Sequence, residues 1–117
     1  MLIMIKAQCH CGNIELTTEY LPDEYTVCNC SICRRLATKW MYYKTDEVRV
    51  THNKESTHTY VWGDKCIAFH HCPLCGCATH YTSEPNWEFD RIAINANMLD
   101  PNLIEFLKIR RFNGADM

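Results

Sequence analysis

Nine cysteines in a chain of 117 residues constrain this sequence more than any other feature. An odd number argues against a framework of disulfides, because one thiol would be left unpaired. Seven of the nine instead fall into three tight clusters with the spacing of metal ligands: Cys9 and Cys11; Cys28, Cys30 and Cys33; Cys72 and Cys75. The sequence therefore favours metal sites built from thiolates, in a reducing compartment where disulfides are rare.

The first and last clusters together predict one closed metal site. They read Cys-His-Cys-Gly at 9–12 and Cys-Pro-Leu-Cys-Gly at 72–76. A glycine after the second cysteine can adopt the positive φ that folds backbone amides around a metal-bound thiolate. Buried hydrophobic cysteines and a redox pair are the alternatives, but redox pairs usually open a helix rather than join two strands. We expect a structural zinc held by Cys9, Cys11, Cys72 and Cys75.

The middle cluster places three thiols within six residues. Zinc bound by Cys28, Cys30 and Cys33 would keep one coordination position free and could act as a Lewis acid. We therefore expect a second zinc here, at the site of any chemistry. The alternatives are that these thiols bind no metal, or that a distant loop completes a purely structural site. The candidates for that fourth ligand are His70, His71, His80, Cys66 and Cys77.

Two arginines follow the third thiol of the middle cluster. Arg34 and Arg35 would lower the pKa values of nearby thiols, offset part of the charge of a zinc with three thiolates, and could bind a substrate carboxylate. The alternative is a pair of solvated arginines on a short helical turn.

The segments between the clusters predict a mainly β fold in a single domain over residues 1–117. They are short, partly alternating, and rich in Val, Ile, Thr, Tyr and Trp. One or two helical turns are expected within Cys30–Ala37, and Asp100-Pro101 followed by Asn102–Leu107 predicts a turn or short helix. The predicted strands are Leu2–Gln8, Asn13–Tyr20, Thr38–Tyr43, Val48–Thr51, Thr57–Trp62, Lys65–His70, Ala78–Thr82, Arg91–Asn97 and Leu107–Phe112.

The charge balance restricts the class of partner. Twelve basic residues against fourteen acidic ones give a net charge of −2, without a run of like charges. Nothing in this balance supports binding to nucleic acid or to an anionic membrane, so we expect a small-molecule partner. The apolar start of the sequence is too short to span a membrane and lacks the basic region and cleavage site of a signal peptide. We expect a cytoplasmic protein.

The clusters and two further motifs resemble the glutathione-dependent formaldehyde-activating enzyme family, which includes centromere protein V. The resemblance runs over nearly the whole chain, and the order and spacing of its motifs are more specific than any one of them. The motifs are Cys-His-Cys-Gly at 9–12, Cys-Asn-Cys-Ser-Ile-Cys-Arg-Arg at 28–35, Cys-Pro-Leu-Cys-Gly at 72–76, Ile-Asn-Ala-Asn-Met-Leu-Asp at 94–100 and Phe-Asn-Gly-Ala at 112–115.

The resemblance implies a β-rich fold of the Mss4-like type with two zinc ions. It implies a structural zinc on Cys9, Cys11, Cys72 and Cys75, and a catalytic zinc on Cys28, Cys30 and Cys33. The family's activity joins formaldehyde and glutathione into S-(hydroxymethyl)glutathione, and its reverse is a carbon–sulfur lyase reaction. The resemblance therefore implies a small-molecule thiol as the partner, with glutathione as the candidate.

Two hypotheses of function follow from the sequence. The first is a zinc-dependent carbon–sulfur lyase or synthase that acts on the thiol adduct of a small aldehyde. The second is a non-catalytic zinc module that presents a surface to a partner protein, with Trp40, Tyr42, Tyr43 and Trp87 as contact residues. An incomplete ligand set beside two arginines favours the enzyme, because stability alone does not require an open site.

Overall fold

Ten strands and two short α-helices form the computed structural model, which describes residues 4–116. Three 3-10 turns, at Thr45–Glu47, Ala96–Met98 and Gly114–Asp116, complete the regular structure. In chain order the elements are β1 (Ile5–Gln8), β2 (Ile14–Thr18), β3 (Glu24–Cys28), α1 (Ser31–Leu36), β4 (Trp40–Tyr43), β5 (Val48–His52), β6 (His58–Val61), β7 (Ile67–His71), β8 (Ala78–Ser83), β9 (Ile92–Asn95), α2 (Pro101–Ile104) and β10 (Lys108–Phe112).

The strands form two sheets. The smaller sheet has the order β1-β2-β5 and is antiparallel throughout. The larger sheet has seven strands in the order β10-β3-β4-β9-β8-β7-β6, and its one parallel pair is β10 with β3. This pairing brings the C-terminal strand beside the end of β3, where the middle cysteine cluster begins. The described residues are compact, with a radius of gyration of 13.6 Å, close to the value of about 13 Å expected for a domain of 100 residues.

The prediction of a mainly β fold is confirmed. A strand overlaps each of the nine predicted segments, although Leu2 and Ile3 fall outside the described residues. The two predicted helical segments contain α1 and α2. The sequence analysis predicted no strand at β3, so that part of the prediction was wrong.

Apolar side chains form two core clusters. The larger lies against the smaller sheet and includes Ile14 and Leu16, which alternate with half-buried residues along β2. The second lies under the middle cysteine cluster and contains Cys33, Trp40 and Phe69. β9 is buried at every position, because it pairs with β4 on one side and β8 on the other in the middle of the large sheet. The second core cluster therefore packs directly against the middle cysteine cluster.

None of the helices within residues 4–116 combines the length and the hydropathy that crossing a bilayer requires.

Candidate metal centres and the adjoining cavity

The four thiols of the first and last clusters meet at one point, although 61 residues separate Cys11 from Cys72. The loop between β1 and β2 supplies one pair, and the loop between β7 and β8 supplies the other. All four sulfur atoms lie within 4.8 Å of one another. The Cys11 sulfur is 3.7 Å from that of Cys9 and 3.7 Å from that of Cys72. Two loops distant in sequence thus form a single four-thiol cluster: Cys9, Cys11, Cys72 and Cys75.

The two loops share one backbone design. The first cysteine of each loop donates its amide to the carbonyl five residues on, Cys9 to Ile14 and Cys72 to Cys77. Gly12 and Gly76 each turn the chain with a φ of 83°, a conformation that costs little only for glycine. The expected positive φ at both glycines is therefore present, and it allows the backbone to curl around the sulfur atoms.

Nitrogen donors surround the sulfur atoms of this cluster. The Ile14 amide donates to the Cys9 sulfur at 3.2 Å, and the Leu74 amide donates to the Cys72 sulfur at 3.4 Å. Burial raises the pKa of the Cys75 thiol, but the amides of Cys77 and Cys11 outweigh burial and bring that pKa down to about 6. Such donors favour thiolates over thiols.

This donor set fits a metal cation. Several thiolates within 4.8 Å of one another repel each other unless a positive charge lies between them. Four sulfur ligands, two tight loops and N–H donors to sulfur are the arrangement of a structural zinc site. All nine cysteines are free thiols, so disulfide bonds do not compete for these ligands.

The middle cluster forms where β3 passes into α1. Cys28 is the last residue of β3, Cys30 caps the N-terminus of α1, and Cys33 lies buried on the first turn of that helix. The three sulfur atoms also lie within 4.8 Å of one another. The Cys33 amide donates to the Cys30 sulfur at 3.4 Å, which is the capping hydrogen bond. The strand end and the helix start thus fix a three-thiol cluster: Cys28, Cys30 and Cys33.

Neighbouring groups act differently on the three thiols. Burial raises the pKa of Cys33, although the Trp40 indole N–H donates to its sulfur at 3.4 Å and opposes that effect. Burial likewise raises the pKa of Cys28. Burial also raises the pKa of Cys30, but hydrogen bonds from the amides of Cys33 and Ile32 and with the thiols of Cys33 and Cys28 together outweigh burial, so that pKa is lowered. A cation would be needed to keep all three sulfurs as thiolates, and three soft sulfur ligands fit zinc.

The three-thiol cluster opens into a cavity of about 670 Å³. This volume falls within the range of about 300–1,000 Å³ common for small-molecule sites. The cysteines of the cluster are the only Cys or His residues among the described residues that line the cavity. Eight aromatic side chains form much of the wall, and all three tryptophans of the chain are among them: Trp40, Trp62 and Trp87.

The residues considered as a fourth ligand lie elsewhere. Cys66 is hydrogen-bonded to Asp64, and Cys77 packs on the core beside the four-thiol cluster. The imidazoles of His70 and His80 stack on each other with ring centroids 4.1 Å apart, and His71 lies against His58. Within residues 4–116, the three-thiol cluster therefore offers three candidate ligands to a metal ion.

Comparison with known proteins agrees with the sequence motifs. The family model of the glutathione-dependent formaldehyde-activating enzyme matches residues 4–107. This chain belongs to that family. It is also similar to a Rhodobacter sphaeroides protein of known crystal structure, with 25% sequence identity and a TM-score of 0.75. The similarity covers 92% of this chain and 100% of the other. The resemblance stated from the motifs is thereby confirmed.

The family match ends before the residues that close over the three-thiol cluster. The amide of Asn29 donates to the carbonyl of Phe112, and the Asn29 side chain accepts the amide of Ala115. Gly114 lies directly on the cluster, because a Cβ atom at this position would be 2.6 Å from the Cys28 sulfur. The sequence analysis quoted residues 112–115 for the resemblance but gave Gly114 no role. Only its proximity in the fold reveals one.

The two arginines predicted beside the cluster point away from the cavity. Arg34 and Arg35 are exposed on α1, and neither lines the cavity. The Arg35 guanidinium instead donates to the Ser31 carbonyl at 2.7 Å. Their contact with a substrate carboxylate stays a prediction. The arginine that does line the cavity is Arg91, which comes from the loop before β9 and which the sequence analysis did not single out as a site residue.

The aromatic residues assigned to the non-catalytic hypothesis are not a surface patch. Trp40 and Tyr43 are buried in the core, while Tyr42 and Trp87 are half-buried and line the cavity. The prediction that these four residues form a protein-contact surface was therefore wrong.

Proposed function

We propose that this protein is a zinc-dependent carbon–sulfur lyase that acts on the thiol adduct of a small aldehyde. The observation that carries the proposal is the three-thiol cluster, which faces an open cavity where no histidine or further cysteine among the described residues supplies a fourth ligand. Membership of the family supports the same class of reaction.

Two zinc ions with different tasks belong to this proposal. The four-thiol cluster offers a complete set of protein ligands, so the ion it binds is structural. The three-thiol cluster would hold the catalytic ion. When bound there, zinc supplies a Lewis acid with a free coordination position, which stabilises negative charge on sulfur as a carbon–sulfur bond breaks.

The reaction is a balanced cleavage of one bond. In an S-(hydroxymethyl) adduct, the carbon–sulfur bond breaks and its electron pair passes to sulfur. The hydroxyl group loses its proton as the carbonyl bond forms, and the sulfur takes up a proton to give the free thiol. The reverse reaction joins thiol and aldehyde without any oxidant or reductant.

The chain's own residues contribute position and environment. The Trp40 N–H holds the Cys33 sulfur, and the amide of Cys33 holds the Cys30 sulfur, so both ligands keep one orientation. Aromatic side chains line much of the cavity, and apolar surroundings of this kind strengthen electrostatic interactions. Glutathione is the first thiol to test, since the family is named for it.

Exchange spectroscopy tests the proposal despite the spontaneous reaction of thiols with formaldehyde. Two-dimensional NMR measures the exchange rate between formaldehyde and its thiol adduct with and without zinc-loaded protein. We expect wild type to accelerate exchange for glutathione or for another small thiol. Cys30→Ser should lose this acceleration, and Cys66→Ser, outside both clusters, should keep it. A rate equal to that in buffer for every thiol tested would contradict the proposal and favour the non-catalytic zinc module.

A further inference from the structure

Arg91 presents an unpaired positive charge within the cavity. Its guanidinium carbon lies 4.3 Å from the ring centroid of Tyr42, 5.5 Å from that of Trp87 and 5.6 Å from that of Phe89. Within residues 4–116 the single ion pair joins Lys6 and Glu15, so no described carboxylate forms an ion pair with Arg91. A guanidinium on the wall of a small-molecule cavity without a protein counter-ion is suited to an anionic ligand.

The fold holds this guanidinium in place. The Arg91 amide donates to the Ser83 hydroxyl at 3.1 Å, and the Arg91 carbonyl accepts the Ser83 amide at 2.9 Å. The rings of Tyr42 and Trp87 pack near the guanidinium, and its planar set of N–H donors is suited to a bidentate contact with a carboxylate. The packing therefore orients Arg91 before a ligand binds.

Arg91 and the thiols lie within reach of one small molecule. Tyr42 lies between them, because Arg91 lies over its ring and both Tyr42 and Cys28 pack against the second core cluster. Both residues line the same cavity. A ligand whose sulfur lies at the three-thiol cluster can therefore extend along Tyr42 and place a second group at Arg91.

The walls between these two points are mostly apolar. Apart from the thiols and Arg91, the charged group on the lining is Asp64, which is exposed and accepts the Cys66 amide at 3.2 Å. Glutathione carries two carboxylates, an ammonium group and two peptide bonds. Polar groups that lose water without gaining a partner cost free energy. The lining thus matches an aromatic or aliphatic ligand better than a peptide.

We propose that the cavity takes a thiol or thiol adduct with an apolar, preferably aromatic, body and a single carboxylate, which Arg91 binds. The proposal rests on the proposed function, since it places the substrate sulfur at the three-thiol cluster. Arg91 is thus the residue that determines which thiol is accepted. In this proposal the substrate carboxylate lies at Arg91 and not at the exposed Arg34 or Arg35.

Titration calorimetry on the zinc-loaded protein tests this with 4-mercaptophenylacetate as the probe. We expect it to bind more tightly than glutathione. Arg91→Gln should weaken its binding by about tenfold or more, since losing a charge-assisted hydrogen bond costs that much. The same substitution should hardly affect 4-methylthiophenol, which has the ring and the thiol but no carboxylate. Arg34→Gln removes an equal charge outside the cavity and should change neither affinity.

Circular dichroism and zinc content would show whether Arg91→Gln is folded. A second variant, Arg91→Lys, keeps the test decisive if Arg91→Gln is not. Arg91→Lys keeps the positive charge but lacks the planar guanidinium with its paired N–H donors. It should therefore weaken binding of the probe by about threefold or more. A folded Arg91 variant that binds the probe as tightly as wild type overturns the proposal. Glutathione binding as tightly as the probe overturns it as well.

The methyl thioether of the probe separates this proposal from the proposed function. If thiol and thioether bind equally well while Arg91→Gln weakens both, the role of Arg91 is supported and the thiol-specific function is contradicted. If the thiol binds far more tightly than the thioether and Arg91→Gln changes nothing, the function survives and the role of Arg91 is overturned.

Discussion

Single side chains around the three-thiol cluster show what local sequence can and cannot reveal. Cys28, Cys30 and Cys33 were predictable as a group, because their spacing alone keeps the sulfur atoms close. The role of Arg34 was inferred from its position next to Cys33. In a helix, however, adjacent residues point about 100° apart, so a buried Cys33 turns Arg34 toward solvent. The sequence did not indicate Arg91 as a site residue, because 58 positions separate it from Cys33. Only the folded sheet brings the two residues to one cavity.

Gly114 provides a prediction at the same scale. A Cβ atom there would lie 2.6 Å from the Cys28 sulfur and 3.2 Å from the Cys30 Cβ. Gly114→Ala must therefore displace a ligand or the C-terminal segment. We expect zinc affinity at the three-thiol cluster to fall about tenfold or more, as for other residues that support metal ligands. The thermal midpoint should change little, because Gly114 lies outside both core clusters.

Competition with a chromogenic chelator measures this affinity. Ala115→Ser is the matched control, since it adds one atom at the exposed next residue. Equal zinc affinity in Gly114→Ala and wild type would show that the C-terminal segment does not support the cluster.

At the scale of secondary-structure elements, strand composition and turn residues were sufficient to predict most strands of the large sheet. β3 is the exception, although Tyr25 and Val27 give it the apolar side chains of a strand. It is short and ends at Cys28, the first residue of the middle cysteine cluster. Its parallel pairing with β10 joins segments more than 80 residues apart. No local pattern predicts such a pairing.

The pairing of β7 with β8 creates a buried histidine stack with a consequence for acid stability. His80 is buried, and its ring lies 4.1 Å from that of His70. Burial, with a smaller contribution from His70, lowers the pKa of His80 to about 3. The unfolded chain therefore binds this proton more readily below a pH of about 6.5. Because the fold requires a neutral His80, the free energy of unfolding is not reduced by this residue above that pH. It decreases progressively as the pH falls toward 3.

Replacing His80 should flatten this dependence. Between pH 6.5 and 5, protonation of His80 accounts for about 2 kcal/mol of unfolding free energy. We therefore expect the thermal midpoint of His80→Asn to fall several degrees less than that of wild type over this range. Both proteins keep both cysteine clusters, so acid release of metal affects them alike. His52→Asn, at an exposed position, should behave as wild type. Equal losses in wild type and His80→Asn would refute the role of His80.

For the whole molecule, the division of the thiols into four and three is the central claim. The four-thiol cluster joins loops about 60 residues apart, so an ion bound there closes a long segment of chain and belongs to the folding equilibrium. The three-thiol cluster lies within six residues, so an ion bound there closes almost no additional chain. Spacing and following glycines predicted which cysteines belong together. The shape and lining of the cavity were beyond prediction, because they depend on β4, β7, β8 and β10 meeting in one sheet.

Zinc content per folded chain, measured by mass spectrometry of protein purified under reducing conditions, tests this claim most directly. The account predicts two equivalents for wild type and one for a folded Cys30→Ser, whereas Cys75→Ser should fail to fold. One equivalent in wild type, or a Cys75→Ser variant that folds and keeps the wild-type zinc content, would contradict it.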